Sequence, residues 1–121
     1  MRENHILIID DDLMLLKTAE EILSVQYNVS VAKSGIQALN LLNKNIIPDL
    51  ILLDIDMPQM DGYETLEEIK KIPRCELIPI IFLTGFSEMD YEVRGLKAGA
   101  VDYIVKPFAK EILLARVERH L

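Results

Sequence analysis

Four consecutive apolar residues, Ile6-Leu7-Ile8-Ile9, stop abruptly at Asp10, and the same device recurs where Leu50-Ile51-Leu52-Leu53 meets Asp54. A strand with one wet face alternates apolar and polar residues, whereas an unbroken apolar run of this length fits a strand covered on both faces. Val29–Ala32, Ile78–Leu83 and Val101–Val105 read as further strands, with Pro48 setting up the third and Pro79 tolerable near the start of the fourth. The stretches between them have helical spacing. Leu13, Leu16, Ala19 and Leu23 mark a first helix; Ile36, Leu39 and Leu42 a second; Tyr63, Leu66 and Ile69 a third that ends near Pro73. Met89, Val93, Leu96 and Ala100 mark a fourth, with Gly99 as its C-cap candidate, and Ile112, Leu113 and Val117 a last one running to the end.

Five strands alternating with five helices predict an α/β fold: right-handed crossovers and a parallel sheet covered on both faces. At 121 residues the chain makes one domain, residues 1–121, with no linker composition and no internal repeat. Half of it is apolar and Gly and Pro contribute five residues each, which excludes a disordered or collagen-like chain. Twenty acids against thirteen Lys and Arg give a net charge of -7, so this segment has no general attraction for nucleic acid or for anionic membrane surfaces. Cys75 is the single cysteine and can form no internal disulfide. Met1–His5 lacks the pattern of a signal peptide, and no apolar run approaches the ~20 residues needed to span a bilayer. A soluble, cytoplasmic domain is expected.

In such a sheet ligands bind beyond the carboxyl ends of the strands. Those ends carry Asp10-Asp11-Asp12, then Asp54-Ile55-Asp56-Met57-Pro58, then Leu83-Thr84-Gly85, and lastly Val105-Lys106-Pro107. Each has an ordinary structural use when taken singly. Asp12 fits a helix N-cap, Asp54 a turn residue, Asp61-Gly62 a turn or cap, Thr84 a strand residue and Lys106 a solvated charge. Together they place several carboxylates, a hydroxyl and an ammonium in one concavity. Like charges at that range repel strongly unless Lys106 or a metal neutralises them. All-oxygen ligation suits a hard cation, Mg²⁺ before Ca²⁺.

These segments, with Asp102-Tyr103-Ile104-Val105-Lys106-Pro107-Phe108, closely resemble the receiver domains of two-component response regulators across essentially the whole chain. The resemblance implies a doubly wound, flavodoxin-like sheet of strand order 2-1-3-4-5. It makes Asp54 the phosphoacceptor, served by a sensor histidine kinase or a phosphotransfer protein. Asp11 would then ligate Mg²⁺ directly, Asp10 mainly through water, and the Asp56 backbone carbonyl would join Asp54 to complete the protein ligands. Lys106 would pair with Asp54, Thr84 would bond the phosphoryl group, and Tyr103 would turn to report the change. The Lys106–Pro107 bond would be cis. The switch would alter the surface of the fourth helix, fifth strand and last helix, which would meet an output domain or a second copy of the chain. The domain would assist its own phosphorylation and dephosphorylation without turning over an external substrate. Gly85, acidic Asp56 and bulky Phe86 depart from common choices or vary in the family, and the last two are expected to modulate phosphoryl lifetime.

Three other readings share some of these residues. A flavin-binding protein of the same fold needs a phosphate-cradling loop after the first strand, where three aspartates would repel it. An aspartyl-nucleophile phosphohydrolase would use Asp56 as its second acid, but no insertion here could form a cap. A receiver-like platform that is never phosphorylated would not need Asp10, Asp11, Asp54, Thr84 and Lys106 all intact. The last predicted helix carries no stop signal, so a fragment excised from a longer protein with an output domain is expected. His120 reads as a solvated tail residue.

Overall fold

The computed structural model describes residues 4–85 and 97–121. Its strands are β1 (His5–Ile9), β2 (Asn28–Ala32), β3 (Leu50–Asp54), β4 (Ile80–Thr84) and β5 (Asp102–Val105). All pair in parallel, in the order β2-β1-β3-β4-β5. Among the described residues there are four α-helices: α1 (Leu13–Leu23), α2 (Gly35–Asn43), α3 (Gly62–Lys70) and α4 (Lys110–Arg119). The helix expected at Met89–Ala100 falls largely outside the described residues, although Lys97 and Ala98 are helical and Gly99 follows them with φ 112. No helix among the described residues is long and apolar enough to cross a membrane.

The continuous apolar runs are explained by two cores, one on each face of the sheet. Leu7, Ile9, Ile51, Leu53, Ile80 and Phe82 point to one face, where Ala38 and Leu42 of α2 and Leu66 and Ile69 of α3 cover them. Ile6, Ile8, Leu50, Leu52, Ile81 and Leu83 point to the other, under Leu16, Ala19 and Leu23 of α1 and Leu113 and Val117 of α4. Alternate residues of one strand thus fill opposite cores, so no interior position of β1, β3 or β4 is free to be polar. Truncating a fully buried residue such as Ile8 to Ala costs about 2–5 kcal/mol at sites of this kind.

Three of the four helix starts are fixed by side-chain caps, while Ala109 before α4 offers none. The Asp12 carboxylate accepts the amides of Met14 and Leu15 at 3.0 and 3.2 Å, as the N-cap expectation required. Ser34 caps α2 through the amide of Gln37. Asp61 opens α3 with a full capping box: its carboxylate accepts the Glu64 amide at 2.9 Å, and Glu64 accepts the Asp61 amide at 3.3 Å. Three apolar positions chosen by spacing proved to be on the surface. Leu13, Ile36 and Ile112 are exposed, because each lies in the first turn of its helix, while Gly35 and Ala38 take the inner positions of α2 and Leu113 that of α4. The fourth strand begins after Pro79 and includes Thr84, two residues later than expected at its start and one later at its end.

Candidate functional site

Parallel pairing in this order brings the ends of β1 and β3 side by side, with Ile9 opposite Leu53. Asp10 and Asp54 therefore emerge next to each other, and they are among the few buried polar residues: Asp10 is 0% exposed and Asp54 2%. Lys106, beyond β5, reaches back across the mouth of the sheet. Its Nζ lies 2.9 Å from Asp54 Oδ1 and 3.0 Å from Asp10 Oδ2, donating to both. The backbone holds the acids from behind: Asp10 Oδ1 accepts the Asp12 amide at 2.9 Å, and Asp54 Oδ1 accepts the Asp56 amide at 3.3 Å.

Asp11 is exposed, but it offers an oxygen within 4.8 Å of oxygens on Asp10 and Asp54. The cluster therefore joins three carboxylates to one ammonium. Burial pushes the Asp54 carboxyl up to about 7, and the negative charge of Asp10 adds to this, while the hydrogen bond and charge of Lys106 oppose it. The Lys106 ammonium is shifted upward: burial works against its charge, and its two carboxylate partners outweigh that. One cation cannot satisfy three acids. A second positive charge bound at the free oxygens would complete the balance, and the all-oxygen donor set fits a hard divalent ion.

The other expected site residues take the following places. Thr84 is buried at the last position of β4, one residue past Leu83, the register partner of Asp54. Its carbonyl accepts the Lys106 amide at 2.7 Å, which ties the two strand ends together. Tyr103 lies half-buried on β5, opposite Phe82 and packed against the core beneath α2 and α3. The Asp56 side chain is exposed. The Lys106–Pro107 peptide is cis. A Cβ at Gly85 would meet nothing within 4 Å, so no crowding calls for glycine there. Phe86 lies outside the described residues.

The sequence matches a family model: the response regulator receiver domain, across residues 6–118. The chain belongs to that family. Receiver domains are phosphorylation-activated switches of two-component signalling, and they generally bind Mg²⁺ at an acidic pocket; this chain has a cluster of acids in Asp10, Asp11 and Asp54. The chain is 45% identical over 116 residues to a probable cyclic di-GMP phosphodiesterase of Vibrio cholerae, covering 96% of this chain and 26% of that protein. It is 41% identical to the probable transcriptional regulator ycf27 of Cyanidium caldarium, covering 97% of this chain and 46% of that one. It thus spans half or less of these curated relatives. Among solved structures, the chemotaxis protein CheY4 of Vibrio cholerae superposes with a TM-score of 0.92 at 29% identity, covering 98% of both chains. A putative response regulator from Chloroflexus aurantiacus gives 0.89 at 34% identity, covering 96% of this receiver domain and 95% of that chain.

One charged cluster was missed from sequence. Asp102, at the start of β5, accepts from Arg116 at 3.3 Å, Arg119 at 3.5 Å and His120 at 3.0 Å. His120 is therefore not a solvated tail residue but folds back onto β5. The spacing of Arg116, Arg119 and His120 puts them on one side of the last turn of α4, yet nothing in the sequence pairs that side with Asp102.

Proposed function

We propose that this receiver domain accepts a phosphoryl group on Asp54 and, by doing so, switches a partner surface formed around β5 and α4. The observation that carries the reading is the Lys106 ammonium bridging Asp54 and Asp10 inside a cluster with one cation for three acids. In the transfer, an oxygen of ionised Asp54 attacks the phosphorus of a phosphohistidine. The P–N bond breaks, the imidazole leaves with the bonding electrons, and an acyl phosphate remains on Asp54. Phosphoryl transfer demands positioning and neutralisation more than covalent help. Lys106 holds the nucleophile at 2.9 Å and faces the charge that the phosphoryl group brings.

Asp10, Asp11, Asp54 and the Asp56 carbonyl would hold Mg²⁺, which would supply the missing positive charge and keep Asp54 ionised. Thr84, at the end of β4, donates its hydroxyl to a phosphoryl oxygen. The space released on that side admits Tyr103, which couples the site to β5 and α4. Phosphorylation adds roughly two negative charges and three acceptor oxygens to a site that is already short of cations. It therefore biases a two-state equilibrium and does not create a new fold.

The donor is a histidine kinase or a phosphotransfer protein, which puts the domain's work in the cytoplasm. The readout is an output module, as the greater length of the relatives suggests, or a second copy of the chain. Asp56 and Phe86 tune how long the phosphoryl group survives. The test is direct: acetyl phosphate with Mg²⁺ adds the mass of one phosphoryl group to the native chain and none to Asp54→Ala. A native chain that gains no mass, or an Asp54→Ala chain that gains it undiminished, overturns the reading.

A further inference from the structure

The segment that carries Asp56 is closed at its base by a contact only glycine can make. The Gly62 amide donates to the Ile55 carbonyl at 2.8 Å, turning residues 56–61 into a loop tied at both ends. A Cβ on Gly62 would overlap the Asp54 carbonyl oxygen and come within 2.7 Å of Ile55 Cα. Both obstacles are backbone, so no side-chain rotation relieves them. Gly62 does not take a positive φ, and its dihedrals give no reason for glycine; the reason is this close approach alone.

The helix side of the loop is held as firmly. Gly62 is the first residue of α3, directly after the Asp61 cap with its reciprocal Glu64 bond, and the buried Thr65 hydroxyl donates to the Asp61 carbonyl at 2.7 Å. The last residue of β3 and the first of α3 thus form one rigid joint. Asp54 belongs to that joint through its backbone, and Asp56 hangs from it two residues away, its amide bonded to the Asp54 carboxylate.

We propose that Gly62, with the capping box it adjoins, is a positioning residue for the cation site: its missing side chain lets α3 press onto the backbone of Asp54 and so fixes where the Asp54 carboxylate and the Asp56 carbonyl stand. This rests on the magnesium reading given above. Val117 provides the control. It is fully buried in the core on the other face of the sheet, on the helix whose Arg116 reaches Asp102 at the end of the sheet away from the cation site.

The experiment titrates MgCl₂ into the native chain, Gly62→Ala and Val117→Ala, reading the dissociation constant from amide chemical shifts and the stability separately from urea unfolding. Gly62→Ala weakens Mg²⁺ binding by about tenfold or more, the range in which supporting residues act on metal sites. Val117→Ala loses stability and keeps the native dissociation constant. An unchanged constant in Gly62→Ala, or equal weakening in both variants, overturns the inference. Native protein that takes up no Mg²⁺ overturns the reading of the site itself, a result distinct from the other two. If Gly62→Ala does not fold, Glu64→Ala opens the same joint from its exposed helix side. It must then weaken Mg²⁺ binding, and unchanged binding there overturns the inference equally.

Discussion

Two charged clusters sit at opposite ends of the same parallel sheet and are built on opposite ratios. At the carboxyl ends of β1 and β3, one ammonium serves three carboxylates, two of them buried. At the start of β5, one carboxylate, Asp102, serves Arg116, Arg119 and His120. The consequences for the acids are opposite. Burial and Asp10 push Asp54 up to about 7 despite Lys106. Burial also tends to raise Asp102, but its hydrogen bonds from His120 and the Tyr103 amide, with the charge of Arg116, outweigh that and hold it below its ordinary value. The first cluster is short of positive charge and suited to a ligand that supplies it. The second is satisfied by its own side chains and acts as a clasp between β5 and α4.

The sharpest way to break this comparison is to remove the single cation. Lys106→Met leaves Asp10 and Asp54 with no counter-charge and is expected to lower the stability of metal-free protein by about 3 kcal/mol in urea unfolding at neutral pH. Next in size is the ligand effect. Mg²⁺ at about a hundred times its dissociation constant should raise stability by about 2.7 kcal/mol. Asp11→Asn should remove most of that gain while leaving the metal-free fold intact, because Asp11 is exposed.

The pH dependence of the two ends should have opposite signs. Asp54 has a folded pKa raised to about 7 from 3.8, so its ionisation opposes folding above that value. As pH falls from 8 to 6 without metal, this group should add stability on the order of 1 kcal/mol, and Asp54→Asn should abolish that slope. Asp102 has a lowered folded pKa, so its contribution is present above its ordinary value and is lost as the acid range is entered and the carboxyl protonates. Asp102→Asn should cost about 1 kcal/mol at neutral pH, and that difference from native protein should vanish in acid. Smallest of all is Arg119→Ala, a long and largely exposed contact, expected within about 0.5 kcal/mol of native.

How much of this was legible differs between the clusters for a physical reason. Asp10, Asp54, Thr84 and Lys106 could be found because each follows or ends an apolar run. In a parallel sheet all such ends lie on one edge, so strand position alone predicts their convergence. Asp102 carries no such marker. It opens a strand, and its partners lie on the last turn of a helix, so their meeting depends on how α4 crosses β5. The same limit applies to burial at helix starts. Spacing picked out Ile36, but the approach of α3 leaves room at that end of α2 only for Gly35 and Ala38, and Ile36 turns outward. Asp61-Gly62 was legible as a cap, while the collision that forbids a side chain at Gly62 was not.

The sequence by itself determined the alternation of doubly buried strands with amphipathic helices, and hence which acids, hydroxyl and ammonium stand on one edge of the sheet. Those facts follow from local periodicity, and no partner is needed to read them. Only the tertiary structure decided the charge ratio at each end, the joint between Gly62 and the Asp54 backbone, and the fold-back of His120 onto β5. Each of these depends on ångström-scale distances between elements that are far apart in the chain, and such distances are set by packing of the whole sheet and not by the composition of any segment.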